Sequence, residues 1–176
     1  YATLNDALLN SKTVMQAGAQ MVKIEGGEWL AETVEVLTRN GIPVCVHLGL
    51  TPQSVHVFGG YKLQAKTRES ADQLIADCKA VVEAGAAVLL LECVPAQMGK
   101  EIAELFPHVP VIGIGAGADT DGQVLVVQDM LGLTFGKVAR FVRNFMKEQA
   151  GETAIVDAFK AYHVAVQEQS FPAKEH

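Results

Sequence analysis

No stretch of this chain approaches the ~20 consecutive apolar residues needed to span a bilayer, and its opening Tyr1-Ala2-Thr3-Leu4 is not a basic segment followed by an apolar one. Neither a membrane span nor a secretory leader is therefore expected, and the chain is assigned to the cytoplasm. Charge runs and low-complexity stretches are missing as well, which argues against disorder. The 14 basic residues are scattered and outnumbered by 20 acidic ones, for a net charge of −6, so there is no basic footprint for nucleic acid or an anionic membrane. Cysteine is scarce. Cys45, Cys78 and Cys93 are odd in number and lack C-x-x-C spacing, and two of them lie in apolar strand patterns, as expected of reduced core thiols rather than disulfides or a zinc site. These exclusions leave small-molecule chemistry as the expectation. With 176 residues and 49% apolar content the chain is long enough for one sizeable core, read as a single domain over 1–176.

What is present is an alternation of helical and strand periodicities. The pattern predicts helices near 4–17, 28–39, 67–84 and 95–106, and strands at 21–25, 43–48, 86–92 and 109–115. An apolar segment at 122–131 fits either type, and helical patterns recur near 137–149 and 152–168. Strands separated by helices imply a parallel sheet in an α/β fold. Runs such as Ala87-Val88-Leu89-Leu90-Leu91 are apolar throughout, as expected when both faces are covered. Four clear strands and one doubtful one do not complete an eight-stranded barrel, which typically takes about 250 residues. Because Tyr1 is not an initiator methionine and the first element is a helix without a preceding strand, the missing part is expected on the N-terminal side. An open doubly wound sheet is the alternative.

Polar residues gather where the strands end, the edge at which α/β folds assemble their sites. In Met21-Val22-Lys23-Ile24-Glu25-Gly26-Gly27-Glu28 the period of two puts Lys23 and Glu25 on one face, where apolar neighbours predict burial. A structural ion pair and a ligand site both fit, and the glycine pair would let a ligand approach the backbone. Glu92 closes an apolar strand. It reads either as a desolvated general base or as a solvated glutamate starting the loop before Pro95. His47 closes Pro43-Val44-Cys45-Val46-His47 and is a core histidine or a ligand contact, while Thr51-Pro52 resembles an N-cap and first-turn proline. His56, His108, His163 and His176 have no metal-ligand spacing and read as surface or loop residues. Gly113-Ile114-Gly115-Ala116-Gly117-Ala118 formally fits a dinucleotide fingerprint, but Asp119-Thr120-Asp121-Gly122 does not open a helix. A tight strand-end turn is the preferred reading, with a barrel phosphate site as a lesser one.

Five segments in order resemble one family: Val22-Lys23-Ile24-Glu25-Gly26-Gly27-Glu28-Trp29, His47-Leu48-Gly49-Leu50-Thr51-Pro52-Gln53, Phe58-Gly59-Gly60-Tyr61, Leu91-Glu92-Cys93-Val94-Pro95 and Ile112-Gly113-Ile114-Gly115-Ala116-Gly117. Together with the tail Phe171-Pro172-Ala173-Lys174-Glu175-His176, they closely resemble ketopantoate hydroxymethyltransferase. The resemblance implies a (β/α)₈ TIM barrel of which this chain supplies strands four to eight. It implies transfer of a hydroxymethyl group from 5,10-methylenetetrahydrofolate to 3-methyl-2-oxobutanoate, giving ketopantoate for pantothenate and coenzyme A, through an enolate stabilised by Mg²⁺. By the same resemblance Glu25 is a Mg²⁺ ligand, directly or through water, Lys23 binds the substrate's oxygens, Glu92 is the proton acceptor, and His47 lies in the substrate pocket. A hard divalent cation and a lysine suit a 2-oxo acid. The family's remaining ligands, an Asp-Ser pair and a second Asp, would lie upstream of Tyr1, so these 176 residues alone are expected to be inactive. The family forms homo-oligomers, commonly decamers. Val46 stands where a glycine usually precedes the histidine, and Gln64-Ala65-Lys66 where the family tends to have Gln-Gly.

Two other readings remain at this point. A Mg²⁺-dependent lyase or mutase of the phosphoenolpyruvate mutase and isocitrate lyase type would also handle 2-oxo acids in a barrel, without folate. A truncated chain serving only as an assembly subunit would oligomerise without binding either.

Overall fold

The computed structural model describes residues 2–174 and 176, so the expectations attached to Tyr1 and to Glu175 in the tail lie outside the described residues. The first helix, α1 (Leu4–Gln16), starts where the Thr3 side chain accepts the Asp6 N–H. The first strand, β1 (Val22–Glu25), leads through a 3₁₀ turn at Glu28–Leu30 into α2 (Ala31–Arg39), and β2 (Val44–Gly49) follows. A loop with a 3₁₀ turn at Pro52–Ser54 then reaches α3 (Arg68–Glu83), which opens on a reciprocal cap: Ser70 N–H donates to Thr67 Oγ1 and Thr67 N–H to Ser70 Oγ. The alternation continues through β3 (Val88–Glu92), α4 (Ala96–Leu105) and β4 (Val111–Ile114). The doubtful segment holds both types, a two-residue strand β5 (Gly122–Gln123) and a one-turn helix α5 (Val127–Met130), before the last helix, α6 (Ala154–Gln167).

The five strands form one parallel sheet in the order β1-β2-β3-β4-β5. Sequential parallel order with helical crossovers is the arrangement of consecutive strands in a barrel wall, and the strand number is the one expected for strands four to eight. One face is fully covered. Val22, Ile24, Val44, Val46, Leu89, Leu91 and Val111 pack with Val34 and Leu37 of α2, Cys78 and Val81 of α3 and Ile102 of α4. The strand period places Glu25, His47, Leu90 and Ile112, which share a register row, on the opposite face. A second apolar cluster joins Met130, Phe145, Ala158, Ala165 and Phe171, with Phe145 edge-on to Tyr162 and Phe171 at 5.4 and 5.3 Å.

Two expectations are corrected. The segment 137–149 is not a helix but a series of turns. Its i, i+3, i+4, i+7 apolar residues serve different surfaces: the Phe141 ring lies against Gly115, while Phe145 enters the second cluster with the Arg143 guanidinium stacked 4.6 Å from its ring centre. Tertiary contacts override the helical pattern. Lys23 is exposed rather than buried, because β1 is an edge strand of the sheet among the described residues and Lys23 lies at its N-terminal end. The glycine pair after β1 borders a cavity and also leaves room for protein side chains. A Cβ on Gly26 would meet Trp29 and Leu30, and one on Gly27 would meet the Asp77 carboxylate.

The glycine cluster after β4 is a tight turn, as preferred from the sequence. Gly117 takes a φ of +84° against Ala96 of α4, and the next helix of the described residues starts only at Val127. Without a helix N-terminus at the turn, the dinucleotide reading has no phosphate site.

Candidate functional site

The site begins with three strands that each deliver one polar side chain to the face opposite the helices, near the C-terminal edge. Glu25 is the last residue of β1, His47 lies within β2, and Glu92 is the last residue of β3. Strand pairing fixes their neighbourhood, since Glu25 is in register with His47, and Gly49, two residues on, with Glu92. His47 is 2% exposed, one of few buried polar residues among those described. Its Nδ1 stands 3.5 Å from Glu25 Oε1 and its Nε2 3.1 Å from Glu92 Oε2. Both nitrogens are within ionic reach of a carboxylate, yet neither contact is aligned enough to count as a hydrogen bond. Contacts between polar groups of a site are commonly long or poorly aligned in the absence of a ligand.

Each carboxylate is held differently. Glu25 Oε2 accepts the Gln53 N–H at 2.9 Å, so the 3₁₀ turn opened by Thr51-Pro52 anchors the β1 side of the row. The backbone closes it further, with Gly26 N–H donating to the His47 carbonyl at 3.1 Å. At Glu92 the main chain is fixed by Leu50 N–H, which donates to its carbonyl at 2.8 Å, and by Cys93 N–H, which donates to Ile114 O at 2.9 Å. The Glu92 side chain is 14% exposed and faces His47. Burial also pushes the neighbouring thiols up: Cys93 to about 11, through desolvation and then the Glu92 charge, and Cys45 upward by desolvation against the opposing pull of Lys23.

Glu25, His47 and Glu92 are therefore brought together. Lys23 shares the Glu25 side of β1, one strand period back, but its side chain is in solvent. Of the other histidines, His56, His108 and His163 are exposed, and His176 packs on Phe171. Sequence reasoning gave no role to Gln53 or Gly49. A backbone N–H donor has no residue signature, although Thr51-Pro52 marked the turn that aims it. A cavity of about 310 Å³ is bordered by Gly26, Trp29, Thr51, Phe58 and Asp77, and none of Glu25, His47 and Glu92 lines it.

Magnesium, which the resemblance implies, prefers oxygen ligands, and the Glu25 carboxylate at the sheet edge offers them. Among the described residues no group of three or more His, Cys, Asp or Glu is arranged to hold a metal ion. Glu25 thus fits as one ligand of a hard cation, and the described residues do not form a complete site.

An α/β protein with parallel strands in sequence order, helical crossovers and polar groups at the C-terminal strand ends belongs to the class of barrel-type proteins. The family model described as ketopantoate hydroxymethyltransferase matches residues 1–174, and the chain belongs to that family. It is 88% identical over 176 residues to the 3-methyl-2-oxobutanoate hydroxymethyltransferase of Acinetobacter baumannii (strain AYE), covering 100% of this chain and 65% of that protein. The protein of the same name from Acinetobacter baylyi is 85% identical with the same coverage, and that from Psychrobacter sp. (strain PRwf-1) is 54% identical over 181 residues. The chain thus spans 65% of the length of these Acinetobacter relatives. No helix among the described residues is long and apolar enough to cross a membrane.

Proposed function

We propose that this chain is the strand four-to-eight portion of a single-domain barrel enzyme that transfers a hydroxymethyl group from 5,10-methylenetetrahydrofolate to 3-methyl-2-oxobutanoate, giving ketopantoate for pantothenate synthesis. The observation that carries the reading is the buried row Glu25, His47, Glu92 at the C-terminal end of a parallel sheet, in a chain matched by the family model over 1–174. Glu92, only 14% exposed, removes the C3 proton of the 2-oxo acid, and the enolate then attacks the one-carbon unit. Lys23, exposed on the Glu25 side of β1, places its ammonium against the carboxylate and carbonyl oxygens of the substrate. His47 stands between the two carboxylates, 3.5 Å from Glu25 and 3.1 Å from Glu92. Glu25 would hold Mg²⁺ with oxygens from outside the described residues; when bound, the ion supplies Lewis-acid stabilisation of the developing oxyanion. The protein acts in the cytoplasm as a homo-oligomer, with no nucleic-acid or membrane partner.

The test is an assay of the whole-length protein with 3-methyl-2-oxobutanoate, methylenetetrahydrofolate and Mg²⁺, read as ketopantoate by mass spectrometry. Folate-dependent product is expected, with Glu92→Gln reducing kcat by about 10²- to 10⁴-fold, the usual span for a general base. Cleavage of a longer 2-oxo or hydroxy acid without folate would show a lyase instead. The 176 residues alone are expected to give no turnover, because among the described residues no group of three or more His, Cys, Asp or Glu is arranged to hold the ion.

A further inference from the structure

The row of contacts is unequal at its two ends. Glu25 has the Gln53 N–H on one oxygen and His47 on the other. For the Glu92 carboxylate, among the described residues, the contact is with His47 Nε2, at 3.1 Å. The imidazole is confined by burial: His47 is 2% exposed, its main-chain carbonyl accepts Gly26 N–H, and the second ring nitrogen lies 3.5 Å from Glu25, within ionic reach. A ring has two nitrogens, and here both face protein carboxylates, so neither is directed to a substrate.

We infer that His47 is a positioning residue for Glu92 rather than a substrate contact: it holds the carboxylate in the orientation from which the C3 proton is taken. This inference rests on the proposed function and assigns a role within it. A carboxylate at a strand end has rotamer freedom that a single fixed partner removes, and orienting partners of this kind typically affect their target by about 10- to 100-fold. The effect should fall on the chemical step and leave binding alone, since the ring does not touch substrate.

The experiment uses the whole-length protein and two readouts, steady-state kinetics and exchange of the C3 proton of 3-methyl-2-oxobutanoate with deuterated solvent, followed by NMR without folate. In His47→Gln the amide reaches about as far as Nε2, whereas in His47→Asn it reaches only about as far as Nδ1. His47→Asn should lower kcat and the exchange rate by about 10- to 100-fold with KM for the 2-oxo acid within about threefold, and His47→Gln should recover most of the loss. On a Glu92→Gln background His47→Asn should add nothing, because a residue acting through another has no effect once that partner is gone. That comparison is internal, so it holds even where the substitution lowers stability. A raised KM with unchanged kcat, a loss in Asn and Gln alike, or losses that multiply in the double variant would overturn the inference while leaving the transferase reading intact. Absence of both exchange and transfer in the unsubstituted protein would remove both.

Discussion

The carbonyl oxygen of Glu92 occupies the space that a Cβ on Gly49 would need. The approach joins β2 to β3 at the level of the site, where Leu50 N–H donates to that same carbonyl at 2.8 Å and Gly49 is in register with Glu92. Gly49 also has a φ of +82°, in the left-handed region that side chains disfavour. Gly49→Ala should therefore cost the left-handed penalty of about 1–2 kcal/mol and a further overpacking term of about 1–3 kcal/mol. Because the clash is with the backbone of Glu92, activity should fall beyond what the lost stability explains. Urea unfolding beside kcat at a temperature where the variant is folded measures both. A variant as stable and active as its parent would refute the close approach.

Leu89 is fully buried on the helix-covered face of β3, one residue from the half-buried Leu90 on the other face. Leu89→Ala should cost about 2–5 kcal/mol, by lost transfer energy and the cavity left behind. The midpoint of a denaturant titration should shift with an unchanged slope, as expected when stability alone is altered.

The covered face was legible in the sequence because it needs only a period and a composition. Val22, Ile24, Val44, Val46, Leu89 and Leu91 are apolar at strand spacing, and each strand falls within two residues of its expected ends. The exposure of Lys23 was not legible, because the same alternation that aligns it with Glu25 says nothing of whether another element covers that face. Nor was the turn structure of 137–149, whose apolar spacing is helical while Phe141 and Phe145 are drawn to two separate partners, Gly115 and the Tyr162–Phe171 pair. Glu25, His47 and Glu92 could each be picked out singly as polar groups ending apolar strands. Their juxtaposition could not, since it depends on the register that pairs Glu25 with His47 and Gly49 with Glu92.

The reciprocal cap at the start of α3 is a local device with a local test. Thr67 Oγ1 accepts the Ser70 N–H at 3.2 Å, and Ser70 Oγ accepts the Thr67 N–H at 3.0 Å. Thr67→Ala should remove about 0.5–2 kcal/mol, and Thr67→Ser should retain most of it. Equal losses in both, measured by thermal unfolding, would mean that the methyl group and not the hydroxyl carries the effect.

Two thiols should make stability fall in alkaline solution. Burial pushes Cys78 from its ordinary 9.0 up to about 12, with Asp77 adding to the rise, and pushes Cys93 to about 11. The folded state therefore keeps protons that the unfolded chain releases above about pH 9, so the unfolding free energy must decline as pH rises past that point. Each thiol contributes a slope of at most about 1.4 kcal/mol per pH unit, ending near its own folded value. Below pH 9 the contribution is constant, which separates it from carboxylate effects at acid pH. Replacing Cys78 by Ala should flatten the alkaline decline up to about pH 12, and replacing Cys93 by Ala should flatten it up to about pH 11, whatever either does to stability at neutral pH. The same shift makes the Cys93 thiolate roughly a hundredfold scarcer at pH 8 than that of an ordinary thiol, so iodoacetamide should label the folded protein at this position at least that much more slowly than the unfolded chain.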